Sequence, residues 1–161
     1  MRKLLNFRVV CLGFLGAVCF LGLAPLPFAH GETVSSYVGK EVCKGCHEKE
    51  YKSFIAYSKK NSSFKSIALR RKKLTDEEFK TCLSCHTTGY GKPGGFKSEA
   101  ETPDMKDLNC EACHGPGSEH AKSGNPKDLK GKMTAGDCET CHNADRVATF
   151  NYKPLIYGGA H

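Results

Sequence analysis

Cys110-Glu111-Ala112-Cys113-His114 shares its skeleton with three other stretches: Cys43-Lys44-Gly45-Cys46-His47, Cys82-Leu83-Ser84-Cys85-His86 and Cys138-Glu139-Thr140-Cys141-His142. These four segments determine what kind of core the chain can have. In a Cys-x-x-Cys-His segment the two thiols add to the vinyl groups of a haem, and the adjacent histidine lies under the ring as an iron ligand. A zinc knuckle or a redox dithiol accounts for a single Cys-x-x-Cys, and a disulfide framework accounts for eight cysteines in a small exported chain. Neither needs a histidine at one fixed place after every pair. With Cys11 and Cys19 set aside, no cysteine is left over. The expected cofactors are four haem c groups, attached through Cys43, Cys46, Cys82, Cys85, Cys110, Cys113, Cys138 and Cys141, with His47, His86, His114 and His142 on the irons.

The amino terminus sets which residues belong to the working protein. Arg2, Lys3 and Arg8 precede an apolar run from Val9 to Leu23, and Ala29-His30-Gly31 places small residues at cleavage spacing. Residues 1–31 read as a signal peptide, so the chain is expected in the periplasm or otherwise exported. The rival is an uncleaved anchor, since Val9 to Phe28 is 20 uncharged residues, just long enough to span a bilayer. Membrane contact is expected only in that case, and Pro25 and Pro27 ahead of the small-residue site favour cleavage. Residues 32–161 then form one domain. Leu, Ile, Val and Phe supply only 18 of its 130 residues, a level at which a charged chain does not fold on its own side chains. Bound cofactors must supply the missing core.

Charge excludes less than it first suggests. The formal +7 includes the three positive residues of the signal segment, and each ferric haem with two ionised propionates brings roughly one negative charge. The loaded protein is near neutral, so no nucleic-acid partner is expected. Lys59, Lys60, Arg70, Arg71, Lys72 and Lys73 form a basic stretch, read as a solvated face able to steer an acidic redox partner.

The motifs begin at residues 43, 82, 110 and 138, too close together for separate domains. The fold expected is mainly α with extensive loops, a single compact multihaem cytochrome unit. Helical composition runs from about Glu41 to Tyr57. Thr75-Asp76-Glu77-Glu78 has the form of a capping box opening a helix into Cys82, and Thr134 caps a short helix carrying Cys138 to His142. Gly89 to Gly95 and Gly115 to Pro126 read as loops, and no strand pattern is present. Tyr51, Phe54, Tyr57 and Phe64 are expected in the core or against haem.

Axial ligands are a counting problem. Four irons offer eight axial positions, and the motif histidines fill half. Beyond them the exported chain has only His120 and His161, so at most two haems are bis-histidine within one chain. The others are five-coordinate, bind water, or use Met105, Met133 or a lysine. A neighbouring molecule is a further source of ligands, which makes self-association part of the expectation.

The motifs and their tails resemble the tetrahaem cytochrome c-554 family. The likeness is carried by Cys82-Leu-Ser-Cys-His-Thr-Thr-Gly-Tyr-Gly with Pro93-Gly-Gly-Phe after it, by Cys110-Glu-Ala-Cys-His-Gly-Pro-Gly-Ser-Glu-His120, and by the first and fourth motifs with a late histidine. The resemblance implies His120 and His161 as distal ligands and a five-coordinate iron over His86. It also implies electron transfer, the named member of the family receiving electrons from hydroxylamine oxidoreductase. One stretch departs from the pattern: where the family carries a histidine about a dozen residues after the first motif, this chain has Lys59-Lys60. Lys59 is taken ahead of Lys60 as the residue in the ligand position, and the donor is not carried over.

Two functions follow from these residues. The first is an electron-transfer module, which needs no substrate pocket. The second is an enzyme reducing nitric oxide, nitrite or hydroxylamine at an open haem over His86, with Thr87, Tyr90 and Lys92 nearest in sequence. Transfer is preferred, because an open iron does not itself supply acid and base groups.

Overall fold

The structure, a computed structural model, describes residues 34–146; the amino-terminal assignments and His161 lie outside the described residues. Each motif winds into a helical turn. Helix α1 (Lys40–Lys44) carries Cys43, and α2 (Glu48–Tyr57) follows the first motif. Helix α3 (Ser63–Ala68) leads to α4 (Asp76–His86), which ends on the whole second motif. Helix α5 (Cys110–His114) is the third motif itself, α6 (Ser118–Ser123) follows it, and α7 (Ala135–Glu139) carries Cys138. Where a helix stops short of its histidine the turn still closes: the His47 N–H donates to the Cys43 carbonyl at 2.9 Å and the His142 N–H to the Cys138 carbonyl at 2.8 Å. Positions i, i+3 and i+4 share one face of a helical turn, so both sulfurs and the imidazole of a motif are presented together.

Single 3₁₀ turns at Lys59–Ser62, Arg71–Lys73, Pro103–Met105 and Pro126–Asp128 join the helices. No strand occurs among the described residues, in keeping with the mainly α, loop-rich expectation. The capping box at Thr75 is complete: its N–H donates to Glu78 Oε2 at 2.8 Å and its hydroxyl accepts the Glu78 N–H at 3.2 Å. The Thr75 N–H first, and then the Thr75 hydroxyl donating to the same Oε2 at 3.0 Å, hold the Glu78 carboxyl below its ordinary pKa. The cap's contribution is therefore present above the unfolded carboxylate pKa and is lost as pH falls through the folded one. At α7 the Thr134 N–H and hydroxyl both donate to Asp137 Oδ2 at 2.8 Å.

Two expectations are corrected. The helix expected from Glu41 to Tyr57 is two helices, because Gly45 and Cys46 make tighter bonds to Val42 and Cys43, three residues back. The loop expected from Gly115 to Pro126 contains α6, with glycine at each end: Gly117 opens it and Gly124, at φ +67°, closes it in the left-handed conformation. Tyr57 is 75% exposed and Tyr51 donates its hydroxyl to Glu41, while Phe54 and Phe64 are buried.

The apolar core is small. Phe64, Ile67, Leu83, Phe96 and Met105 form it, with Tyr37, Phe79, Cys82 and Tyr90 against its edge. It joins α3, α4 and the chain after the second motif, and leaves the first, third and fourth motifs with little filling of their own. Met105 belongs to this core, its sulfur 3.6 Å from Asn109 Nδ2, which removes it from the candidate ligands. Tyr37 lies on the glycine loop, its N–H donating to the Pro93 carbonyl at 3.0 Å. At Gly94 (φ +74°) a Cβ would stand 2.3 Å from the Tyr37 carbonyl oxygen, so only glycine fits there.

Candidate haem centres

The test of whether these residues suit haem lies in their imidazoles. A histidine that ligates through one ring nitrogen normally donates the other N–H to a carbonyl, which sets the tautomer and the ring's direction. His86 Nδ1 lies 3.0 Å from the Ser63 carbonyl, His114 Nδ1 lies 2.6 Å from the Lys130 carbonyl, and His120 Nδ1 lies 2.9 Å from the Asn125 carbonyl. Each ring thus keeps Nε2 as its ligand atom. His120 belongs to no motif yet is prepared in the same way.

The second observation is a pairing. The rings of His47 and His120 have centroids 6.1 Å apart and planes 26° from parallel. Two imidazoles bound to opposite sides of one metal, at about 2 Å per bond, put their ring centres about 6 Å apart. His47 and His120 are thus spaced as two residues that would hold one iron. A zinc knuckle would need four donors converging on one point, whereas among the described residues no three His, Cys, Asp or Glu side chains converge in that way. The eight motif cysteines form no disulfide and all keep some solvent exposure, as attachment to a vinyl group requires. The donor set fits haem.

The motif cysteines influence one another. Cys43 donates its S–H to the Gly39 carbonyl at 3.6 Å; the neighbouring Cys110 thiol, then burial, push the Cys43 thiol well up, and Cys43 lowers that of Cys110 to about 7. Burial, followed by the Cys85 thiol, raises the Cys141 thiol to about 11. The first motif abuts the third, α1 lying in contact with α5. The third and fourth are joined through Lys130, whose N–H donates to the His114 carbonyl at 3.1 Å and whose ammonium pairs with Asp137 at the start of α7. That ammonium is the first cause of an Asp137 pKa lowered to about 2, the Thr134 N–H the second.

The structure separates the two lysines. Lys59 is exposed and Lys60 is half-buried on the 3₁₀ turn. Desolvation raises the thiols of Cys113 and Cys138 and lowers His142, and in all three the next influence is the charge of Lys60. The charge of Lys60 thus acts on the third and fourth motifs. Around the second motif, the Thr87 and Thr88 hydroxyls donate to the Leu83 and Asp107 carbonyls, both at 2.7 Å. Tyr90 packs on the core and Lys92 is exposed.

Several positioning residues escaped the sequence. Ser63 holds the second motif from both sides, its carbonyl facing His86 Nδ1 and its hydroxyl donating to the His86 carbonyl at 2.9 Å. Asn125 and Lys130 act through their backbone carbonyls, which no side-chain pattern reveals. Glu111 is 2% exposed, with Val38, Gly39 and Gly117 donating to it. A carboxylate inside a motif was its only signal.

Known proteins share this arrangement. Residues 42–115 match the family described as cytochrome c554 and c-prime. Cytochrome c-554 of Nitrosomonas europaea is 32% identical over 112 residues, 61% of this chain and 48% of that protein. The multihaem cytochrome MtrA of Shewanella baltica is 32% identical over 84 residues, 44% of this chain and 25% of that one. The aligned part thus spans about half the length of the first relative and a quarter of the second. The reduced-state structure of cytochrome c554 from Nitrosomonas europaea has the same fold, with a TM-score of 0.58 at 21% identity over 80% of this chain and 86% of that chain. Through its first three motifs the chain is similar in sequence to the cytochrome c554 and c-prime family, and across most of its length it shares the fold of cytochrome c554.

Proposed function

We propose that the chain is an exported, periplasmic electron carrier in which all four motifs hold haem c. Similarity to the cytochrome c554 and c-prime family supports covalently bound c-type haem. Haem c, when bound, supplies one-electron iron chemistry whose potential is tuned by axial ligand, burial and hydrogen bonds. Attachment points lie close together, the first motif against the third and the third joined to the fourth. This contiguity is the observation that carries the proposal. A carrier needs contiguous redox sites and no acid or base, and the hydroxyls beside the second motif are committed to backbone carbonyls. Redox proteins are the partners, and the exposed basic turn Arg71–Lys73 is the face an acidic one would meet.

His47 and His120 are the best-formed axial pair. His161 remains the candidate for a second pair, and His86 for an iron with one protein ligand. A stepwise redox titration of the loaded protein, with electron paramagnetic resonance before and after nitric oxide, tests the function. The expected result is uptake of four electrons per chain and no catalytic turnover of nitric oxide, nitrite or hydroxylamine. Turnover of any of them at a high-spin iron would replace the carrier with a nitrogen-oxide reductase.

Lys60 is proposed as the amine that closes one of the remaining iron sites, since a desolvated lysine is able to ligate. Replacing Lys60 with alanine is expected to convert one haem equivalent from low to high spin, whereas Lys59→Ala leaves the spin count unchanged. Equal spectra for the two variants would remove lysine from the ligand set.

A further inference from the structure

Glu111 stands between the two cysteines of the third motif, and its side chain is almost fully buried. Oε1 accepts the Val38 N–H at 2.9 Å and the Gly117 N–H at 2.8 Å; Oε2 accepts the Gly39 N–H at 2.8 Å and a longer bond, 3.2 Å, from Val38. Each oxygen thus faces two donors. A protonated carboxyl would turn its O–H against one of them, so this cradle is built for the ionised form.

The three donors belong to segments that matter. Val38 and Gly39 lead directly into α1, which carries Cys43. Gly117 is the residue before α6, on which His120 sits, and a Cβ at Gly117 would stand 3.1 Å from Oε1. One carboxylate therefore ties the third motif to the approach of the first and to the helix bearing His120, whose ring faces His47.

We propose that Glu111 is a positioning residue for the first and third haem sites: it holds His120 opposite His47 and supplies a fixed buried negative charge that lowers the reduction potential at both. The inference rests on the haem assignment above. A buried anion beside an iron favours the ferric state, and here no side-chain cation among its hydrogen-bond partners offsets it. A role in folding alone would require only the hydrogen bonds; a role in tuning requires the charge.

The experiment first digests the loaded wild-type protein and weighs its peptides. Unmodified Cys43, Cys46, Cys110 and Cys113 would remove the haem assignment, and this inference with it, before any variant is made. With haem in place, the potentials of Glu111→Gln and Glu111→Asp are measured by spectroelectrochemistry. Glutamine removes the charge and is expected to raise two of the four midpoints, each by about tenfold in its one-electron equilibrium, or about 59 mV, and to leave the other two in place. Aspartate keeps the charge and is expected to keep all four near wild type, with the shorter side chain showing as a changed low-spin signal from the His47–His120 iron. Four unchanged midpoints in Glu111→Gln, a uniform shift of all four, or the same rise in Glu111→Asp would overturn the proposal. If the glutamine variant does not accumulate loaded, the aspartate variant decides: wild-type midpoints support the charge, raised ones refute it.

Discussion

Replacing His120 with alanine is expected to turn one low-spin iron in the loaded protein high-spin and open to nitric oxide, leaving the others as they were. The change should amount to one haem equivalent by spin quantitation. The His120 ring stacks against that of His47 with centroids 6.1 Å apart, and its Nδ1 is tied to the Asn125 carbonyl. Alanine at this half-buried helical position keeps the helix, since it favours that conformation. The measurement is electron paramagnetic resonance of the ferric protein, with and without nitric oxide. A wild-type spectrum would mean that the two rings are neighbours without sharing an iron, and the distal ligand over His47 would have to come from elsewhere.

The chain made without haem is expected not to fold at all. Of the described residues, the hydrophobic ones that are fully buried are Phe54, Phe64, Ile67, Leu83, Phe96 and Met105, and all but Phe54 lie in one cluster around α3 and α4. The helices bearing the first, third and fourth motifs are five residues long, far below the length at which an isolated helix persists in water. Expression without the haem-attachment machinery should therefore give a chain with no cooperative thermal transition by circular dichroism, while the loaded protein melts sharply. The loss would exceed a typical domain's whole stability of about 5–15 kcal/mol. A sharp transition in the haem-free chain would show that the small core suffices.

The parts legible from sequence were those whose physics is local. Helical turns at the motifs, the Thr75 box and the Thr134 cap follow from residues within a few positions of one another, and each is present. The parts that were not legible depend on chain far away. Lys59 and Lys60 are adjacent and chemically equal; only the packing of the 3₁₀ turn buries one and exposes the other. Tyr57 has the composition of a core residue, but the face of α2 that is covered holds Phe54. Glu111 occupies a position inside its motif where any residue satisfies the attachment pattern, and its importance comes from backbone donors more than 70 positions earlier in the chain. The Gly115 to Pro126 stretch was misjudged because its glycines bound a helix and do not interrupt one.

The segment around Tyr37 has a consequence for the order of events during biosynthesis. Ser35, Ser36, Tyr37, Val38 and Gly39 bond to Pro116, Ser118, Pro93 and Glu111, partners that a ribosome makes much later. Until those arrive, the approach to Cys43 and Cys46 is a slack tether with nothing to dock on. The stretch leading into the first motif therefore cannot dock until chain as far as residue 118 is in place. Assembly of this protein is a closure from behind, in which the earliest stretch of chain is among the last to find its place.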